Sequence, residues 1–172
     1  MTFEIRSDIT NRSMTIASRA MRRVLWRKRS IIWAIFGWSV FLFNALLLIP
    51  FDGEPFSLDV RTVTSLLVEV MLLSVLLFQD RFNGMIARKN ALAGTKEYHV
   101  AFGENSYTVV TAATTFRYEL IDALAESQDY IIFLMKKRYA QPLDKRTLTG
   151  GTVEEFKRFL EEKTGKTFRR VK

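Results

Sequence analysis

The chain has 172 residues, a net charge of +8 and no cysteine, so it offers neither a disulfide framework nor thiol chemistry. Its positive excess does not point to nucleic acid. There is no zinc-finger spacing, no RNP-like aromatic motif and no long basic helix outside one short cluster.

The N-terminal piece, residues 1–30, opens with the alternating Phe3-Glu4-Ile5-Arg6, which predicts a strand. Asp8 or Thr10 can then cap a helix that places Met14, Ala17, Met21, Val24 and Leu25 on one face. That helix is expected to run on into the next segment. Its end carries the basic cluster Arg22, Arg23, Arg27, Lys28 and Arg29, and residues 1–30 hold a net charge of +6.

From Ile31 to Ile49 the chain runs nineteen residues without a charge, and Thr62 to Phe78 forms a second apolar run whose one ionisable side chain is Glu69. At about 1.5 Å per residue each run roughly spans a hydrocarbon core of about 30 Å. Buried helices of soluble proteins are usually interrupted by polar residues sooner than this. The first run has Trp33 and Trp38 in its first half and Pro50 behind it. A secretory leader does not fit, since thirty residues precede the run and no small-residue cleavage site follows it. The sequence therefore predicts a transmembrane hairpin over 31–81, with spans at 31–49 and 62–78 and an outer loop at 50–61. That loop holds Asp52, Glu54 and Asp59 against Arg61, whereas Arg81, Arg88 and Lys89 follow the second span. Lys and Arg collect in cytoplasmic loops, so both termini are expected in the cytoplasm of a multi-pass protein of the bacterial cytoplasmic (inner) membrane.

The second soluble piece, residues 82–172, begins helix-like in RFNGMIARKNAL, until Gly94. Six short strands follow: Glu97–Phe102, YTVVT, TTFRYEL, IDALAE, Tyr130–Met135 and RYAQPL. Their spacing, with turn residues between, predicts an antiparallel meander. Gly150-Gly151 breaks the chain before Thr152-Val153-Glu154-Glu155, a capping box on the helix VEEFKRFLEEK. Val153, Phe156 and Leu160 form its apolar stripe, so this helix should cover one face or open end of the sheet, to which Phe3–Arg6 adds a seventh strand. The expected class is an α+β membrane protein.

In the last third an aromatic, two branched apolar residues at steps of three and an acidic residue fall on Tyr118, Ile121, Leu124 and Glu126. An apolar strand at Tyr130–Met135 and the basic pair Lys145-Arg146 precede the closing helix. This pattern resembles the C-terminal domain of YcxB-like bacterial membrane proteins, with Tyr118 where tryptophan is usual and Asp144 where a proline often stands. The resemblance extends to the order of strand and helix, hairpin and β domain. It implies a small antiparallel β roll closed by a C-terminal helix, similar to pleckstrin-homology-like domains, and brings no catalytic residues with it.

The residues themselves offer little catalytic chemistry. His99, the single histidine, lies in an apparent strand, and no HExxH, GxSxG, P-loop or GxGxxG motif is present. Glu154-Glu155 and Glu161-Glu162 read as solvated or capping residues. No enzyme activity, cofactor or metal is expected. A carboxylate near the bilayer centre is costly, so Glu69 is expected to be protonated, paired or facing water. In an antiparallel hairpin Asn44 and Glu69 differ in depth by only roughly 3 Å, which makes them an intramembrane polar pair. A proton or ligand site at Glu69 would require oligomerisation. The cluster Arg22, Arg23, Arg27, Lys28 and Arg29 reads either as topogenic charge or as a lipid-headgroup collar, which Lys136-Lys137-Arg138 could extend.

The expected function is a non-catalytic interaction or sensory module bound to the membrane, with a protein partner or anionic lipid headgroups as ligand and a homo-oligomer as a further option. Alternatives are an immunity protein against a membrane-acting toxin and a subunit of a transport or ion-conducting assembly.

Overall fold

The computed structural model describes residues 3–49, 58–90, 96–136 and 138–171. In chain order these form β1 (Phe3–Asp8), α1 (Asn11–Ala20), α2 (Arg27–Leu47) and α3 (Val60–Lys89). Then follow β2 (Glu97–Phe102), β3 (Ser106–Val109), β4 (Thr114–Arg117), β5 (Ile121–Glu126), β6 (Tyr130–Met135), β7 (Tyr139–Asp144), α4 (Val153–Thr164) and β8 (Phe168–Arg170). The outer-loop residues 50–57, Gly94 and Lys137 lie outside the described residues.

The class is α+β. The strands do not form one meander but two four-stranded sheets, ordered β1-β2-β3-β4 and β7-β6-β5-β8. The chain changes sheet after β4 because the expected strand TTFRYEL stops at Arg117 and Tyr118–Leu120 turns as a 3-10 helix. β8, which the sequence pattern does not announce, lies parallel to β5; the other pairings are antiparallel.

β1 pairs with β2 along its whole length, from Phe3 opposite Phe102 to Asp8 opposite Glu97. Its strict alternation puts Phe3, Ile5 and Ser7 inside and Glu4, Arg6 and Asp8 outside. The free edge of β1 is met by the segment after β7. Glu4 and Thr149 exchange backbone hydrogen bonds of 3.1 and 2.9 Å, and the Ser7 hydroxyl accepts from the Asp144 amide. The N-terminal strand therefore ties the two sheets together and covers an edge that would otherwise invite pairing with another chain.

The main core lies between the sheets and is closed by α4. Thr152 caps that helix in the predicted capping box with Glu155, and Gly165 ends it in the left-handed conformation (φ 65°). Its Phe156 sits 4.7 Å from Phe102, ring to ring, and Leu160 is fully buried beside it. Burial of one such side chain contributes about 1.5–3 kcal/mol. β6 explains its uninterrupted apolar sequence, because both its faces are covered. Ile131 and Phe133 enter the main core, while Tyr130, Ile132 and Leu134 meet Ala17 and Ala20 of α1 and the following Met21 in a second core.

The opposite flank of α1 lies against α3. The two helices run antiparallel: Arg88 donates to the Asn11 side chain at 3.1 Å, and Arg22 pairs with Asp80 at 2.6 Å. Between these contacts a Cβ on Gly84 would lie 2.7 Å from the Thr15 nitrogen, so the backbones touch there.

α2 and α3 are long and apolar enough to cross a membrane, and the apolar windows that qualify them are 0% and 6% buried. They are not core helices of the β domain. The first helix does not continue smoothly into α2, as the apolar spacing predicts. Thr10 caps α1, a π-helical turn follows at Met21–Leu25, and Trp26 leaves helical geometry at φ −110°, ψ 24°. The second apolar helix, α3, extends to Lys89 and is kinked at Phe78 (φ −109°, ψ 18°).

Candidate functional site

A cleft of about 510 Å³ opens where the π turn, the start of α2 and the distal part of α3 meet the β domain. Arg29 and Trp33, four residues apart on one face of α2, line it together with Trp26, which immediately precedes that helix. Gln79 and Asn83, one turn apart, line it from α3 just past the Phe78 kink. Arg138 reaches it from the β6–β7 turn, so the hairpin and the β domain both contribute walls.

The basic cluster is split by this geometry. Arg22 also lines the cleft, but its charge is spent within the chain. Its Nε and Nη2 donate to the two Asp80 oxygens at 2.8 and 2.6 Å, and Arg19 Nε lies 3.4 Å from the same carboxylate. That two-pronged hydrogen bond raises the Arg22 pKa above its ordinary value, with burial opposing it. Arg29 lines the cleft and is exposed. Arg23, Arg27 and Lys28 are exposed on the surrounding surface, outside the lining. No acidic side chain lines the cleft among the described residues, and neither Arg29 nor Arg138 forms an ion pair there.

The expected polar pair in the spans does not form. The Asn44 amide donates to the Val40 carbonyl at 3.1 Å, one turn back on its own helix. Glu69 is 7% exposed, and neither of its oxygens meets a hydrogen-bond donor among the described residues. A short amide can satisfy itself on its own helix without crossing to the other, so a match in depth does not by itself make a pair.

His99 holds Glu4 on the neighbouring strand at 3.1 Å, so its contact is a cross-strand one at the sheet surface. Among the described residues no group of three or more histidine and carboxylate side chains is placed to hold a metal ion.

The residues that carried the family pattern turn out to build the scaffold. The Tyr118 hydroxyl donates to the Gly103 carbonyl at 2.8 Å, and burial pushes its pKa up to about 12. Ile121 and Leu124 are fully buried. Glu126 accepts from Lys145 at 2.6 Å and from Lys157 at 2.7 Å, which joins β5 to the turn after β7 and to α4. Asp144, in the place of a proline, accepts from the backbone and guanidinium of Arg146 and so stabilises the turn that carries the basic pair.

Asp80, Gly84, Gln79 and Asn83 are the residues that sequence reasoning missed. Their signal is the four-residue step of Asp80, Gly84 and Arg88 facing the same step of Asn11, Thr15 and Arg19, legible only once the two segments are known to be antiparallel partners.

No curated protein and no solved structure matches the chain. Residues 102–160, from the end of β2 to Leu160 of α4, in the C-terminal part of the chain, match the model of the YcxB-like protein family.

Proposed function

We propose that the chain is a non-catalytic interaction module anchored in the bacterial cytoplasmic membrane by α2 and α3, with both termini and the β domain in the cytoplasm. In this reading the β roll closed by α4 is a pleckstrin-homology-like binding domain, and its ligand is a protein partner or the anionic membrane surface. One observation carries it: α1 is buried on one flank by β6 and on the other meets the α3 backbone at Gly84. The β domain is therefore held against the base of the hairpin rather than tethered by a linker. A binding event on either part alters the packing of the other.

The membrane assignment is supported by the exposed apolar flanks of α2 and α3, with Ile32, Phe36, Phe43, Leu67 and Met71 among their outward side chains. The orientation is supported by the basic residues around Trp26 and the acidic outer segment. Reporter enzymes fused at residue 55 and at the C-terminus test it. The expected signals are external and internal respectively, and the reverse pattern overturns the orientation.

A second reading, a subunit of a transport or ion-conducting assembly, draws on Glu69. A buried carboxylate without a donor among the described residues is a group that a neighbouring helix of an oligomer could satisfy.

A further inference from the structure

We infer that the cleft between the helix breaks binds one anionic phospholipid, its phosphate held between Arg29 and Arg138. This rests on the membrane reading above and names the ligand for it.

Three features select this occupant. The first is charge. Arg22 is neutralised by Asp80, whereas Arg29 and Arg138 have no ion pair among the described residues, on a cleft whose described lining has no acid. The second is position. Arg29 stands two residues before the apolar run begins at Ile31, and Gln79 directly follows the run that ends at Phe78. The cleft thus lies at the depth where headgroups meet acyl chains, and Trp26 and Trp33 are the side chains that favour that depth. The third is the mixture of walls. Asn83 and Gln79 supply amide donors beside the arginines, while Met14, Ala17 and Met21 are apolar. A ligand with an anionic head and apolar tails matches all three; a soluble phosphate uses only the first.

The site differs from the diffuse attraction of the surrounding Arg23, Arg27 and Lys28. Any anionic surface attracts those side chains, at a strength set by charge number and salt. The cleft brings together two arginines 109 positions apart in the chain, one on the hairpin and one on the β domain. Lipid bound there fastens the domain to the hairpin, and its loss loosens that contact.

The test uses the full chain in nanodiscs of equal phosphatidylglycerol and phosphatidylcholine, extracted into a zwitterionic detergent, with co-purifying lipid quantified by mass spectrometry. Phosphatidylglycerol is expected at about one per chain and enriched about twenty-fivefold, two arginines each contributing about fivefold. Arg29→Ala and Arg138→Ala should each reduce the enrichment about fivefold, and Arg158→Ala on α4, of equal charge change, should leave it unaltered. Equal retention of both lipids, or an equal loss in Arg158→Ala, overturns the site. Displacement of the lipid by millimolar glycerol phosphate overturns the lipid as occupant in favour of a soluble phosphate. The reporter fusions report anchorage independently, so failure of the cleft and failure of the membrane reading are distinguishable.

Discussion

Trp26 and Phe78 share one backbone conformation, φ −110°, ψ 24° and φ −109°, ψ 18°, and each interrupts helical geometry between an apolar segment and a polar one. Neither break involves proline or glycine, and the first is accompanied by the π turn at Met21–Leu25. π turns and kinks of this kind frequently mark functional positions. Here they separate two packing regimes. On one side of them α2 and α3 present apolar residues outward, and on the other α1 packs against the end of α3 and against the β domain. The cleft opens between the two breaks, lined by Trp26 and by Gln79 next to Phe78.

The contact of α1 with α3 makes Gly84 a sensitive position. A Cβ there would meet the Thr15 nitrogen and Cα at 2.7 and 2.8 Å, and backbone cannot move aside as a side chain can. Gly84→Ala should destabilise the folded protein by about 1–3 kcal/mol. Gly37→Ala is the comparison, because its new methyl meets Leu76 Cδ2 at 2.6 Å, the mobile end of a side chain. Thermal unfolding in detergent should show a clear loss for the first and a small one for the second. Equal melts would mean that the helices separate readily at Gly84.

Asp80 holds the other end of this contact. Asp80→Asn leaves Arg22 half-buried without its counter-charge and Arg19 without a carboxylate at that position. The expected cost is about 1.5–3 kcal/mol, the range for hydrogen bonds to charged groups. Arg22→Met, which removes the charge and keeps much of the stem, should restore part of the stability when combined with Asp80→Asn. A double variant as unstable as the sum of both single ones would rule out the pair as the source of the loss.

Much of this architecture is legible in the residues, and what is not has a physical reason. Phe3–Arg6, Tyr130–Met135 and the capping box at Thr152 carry local signals of alternation, continuous apolarity and side-chain reach, and all three elements form. β8 has only three residues and exists through parallel pairing with β5, more than forty positions away. No local pattern encodes that. The division into two sheets depends on one 3-10 turn at Tyr118–Leu120, in a stretch whose composition reads as strand. The break at Trp26 falls within VLWRKR, which has neither glycine nor proline to announce it. The basic cluster was visible, but its partition was not, because the Asp80 that claims Arg22 and the Arg138 that joins Arg29 come from remote segments.

Glu126 gives the β domain a dependence on acid. Burial disfavours its charge, but hydrogen bonds from Lys145 and Lys157 outweigh burial and hold the carboxyl below its ordinary value. A carboxyl depressed in the folded state contributes stability that is full above its unfolded pKa, about 4.3, and lost as pH falls through the folded value. Wild-type melts should therefore decline as pH falls below about 4.3, and Glu126→Gln should start lower at neutral pH and decline less over the same interval. Parallel declines in the two proteins would assign the acid sensitivity to other carboxylates.

The last prediction concerns Glu69, whose carboxylate has no donor among the described residues while Asn44 is occupied by Val40. A packing role and a titrating role separate cleanly at this position. For packing against a neighbouring helix, Glu69→Gln keeps an acceptor and gains a donor, so oligomeric state and stability should match wild type. Glu69→Leu removes the polar group, and the loss should stay within about 2 kcal/mol because polar groups in lipid readily find other partners. Asn44→Ala should leave both properties unaltered, since its amide is satisfied on its own helix. For a titrating role, Glu69→Gln already removes the proton-binding group and should abolish the phenotype that the gene confers. We expect Glu69→Gln to behave as wild type in analytical ultracentrifugation, in thermal unfolding and in cells. Loss of function in that variant with its oligomeric state and melting intact would move Glu69 from the scaffold to the mechanism.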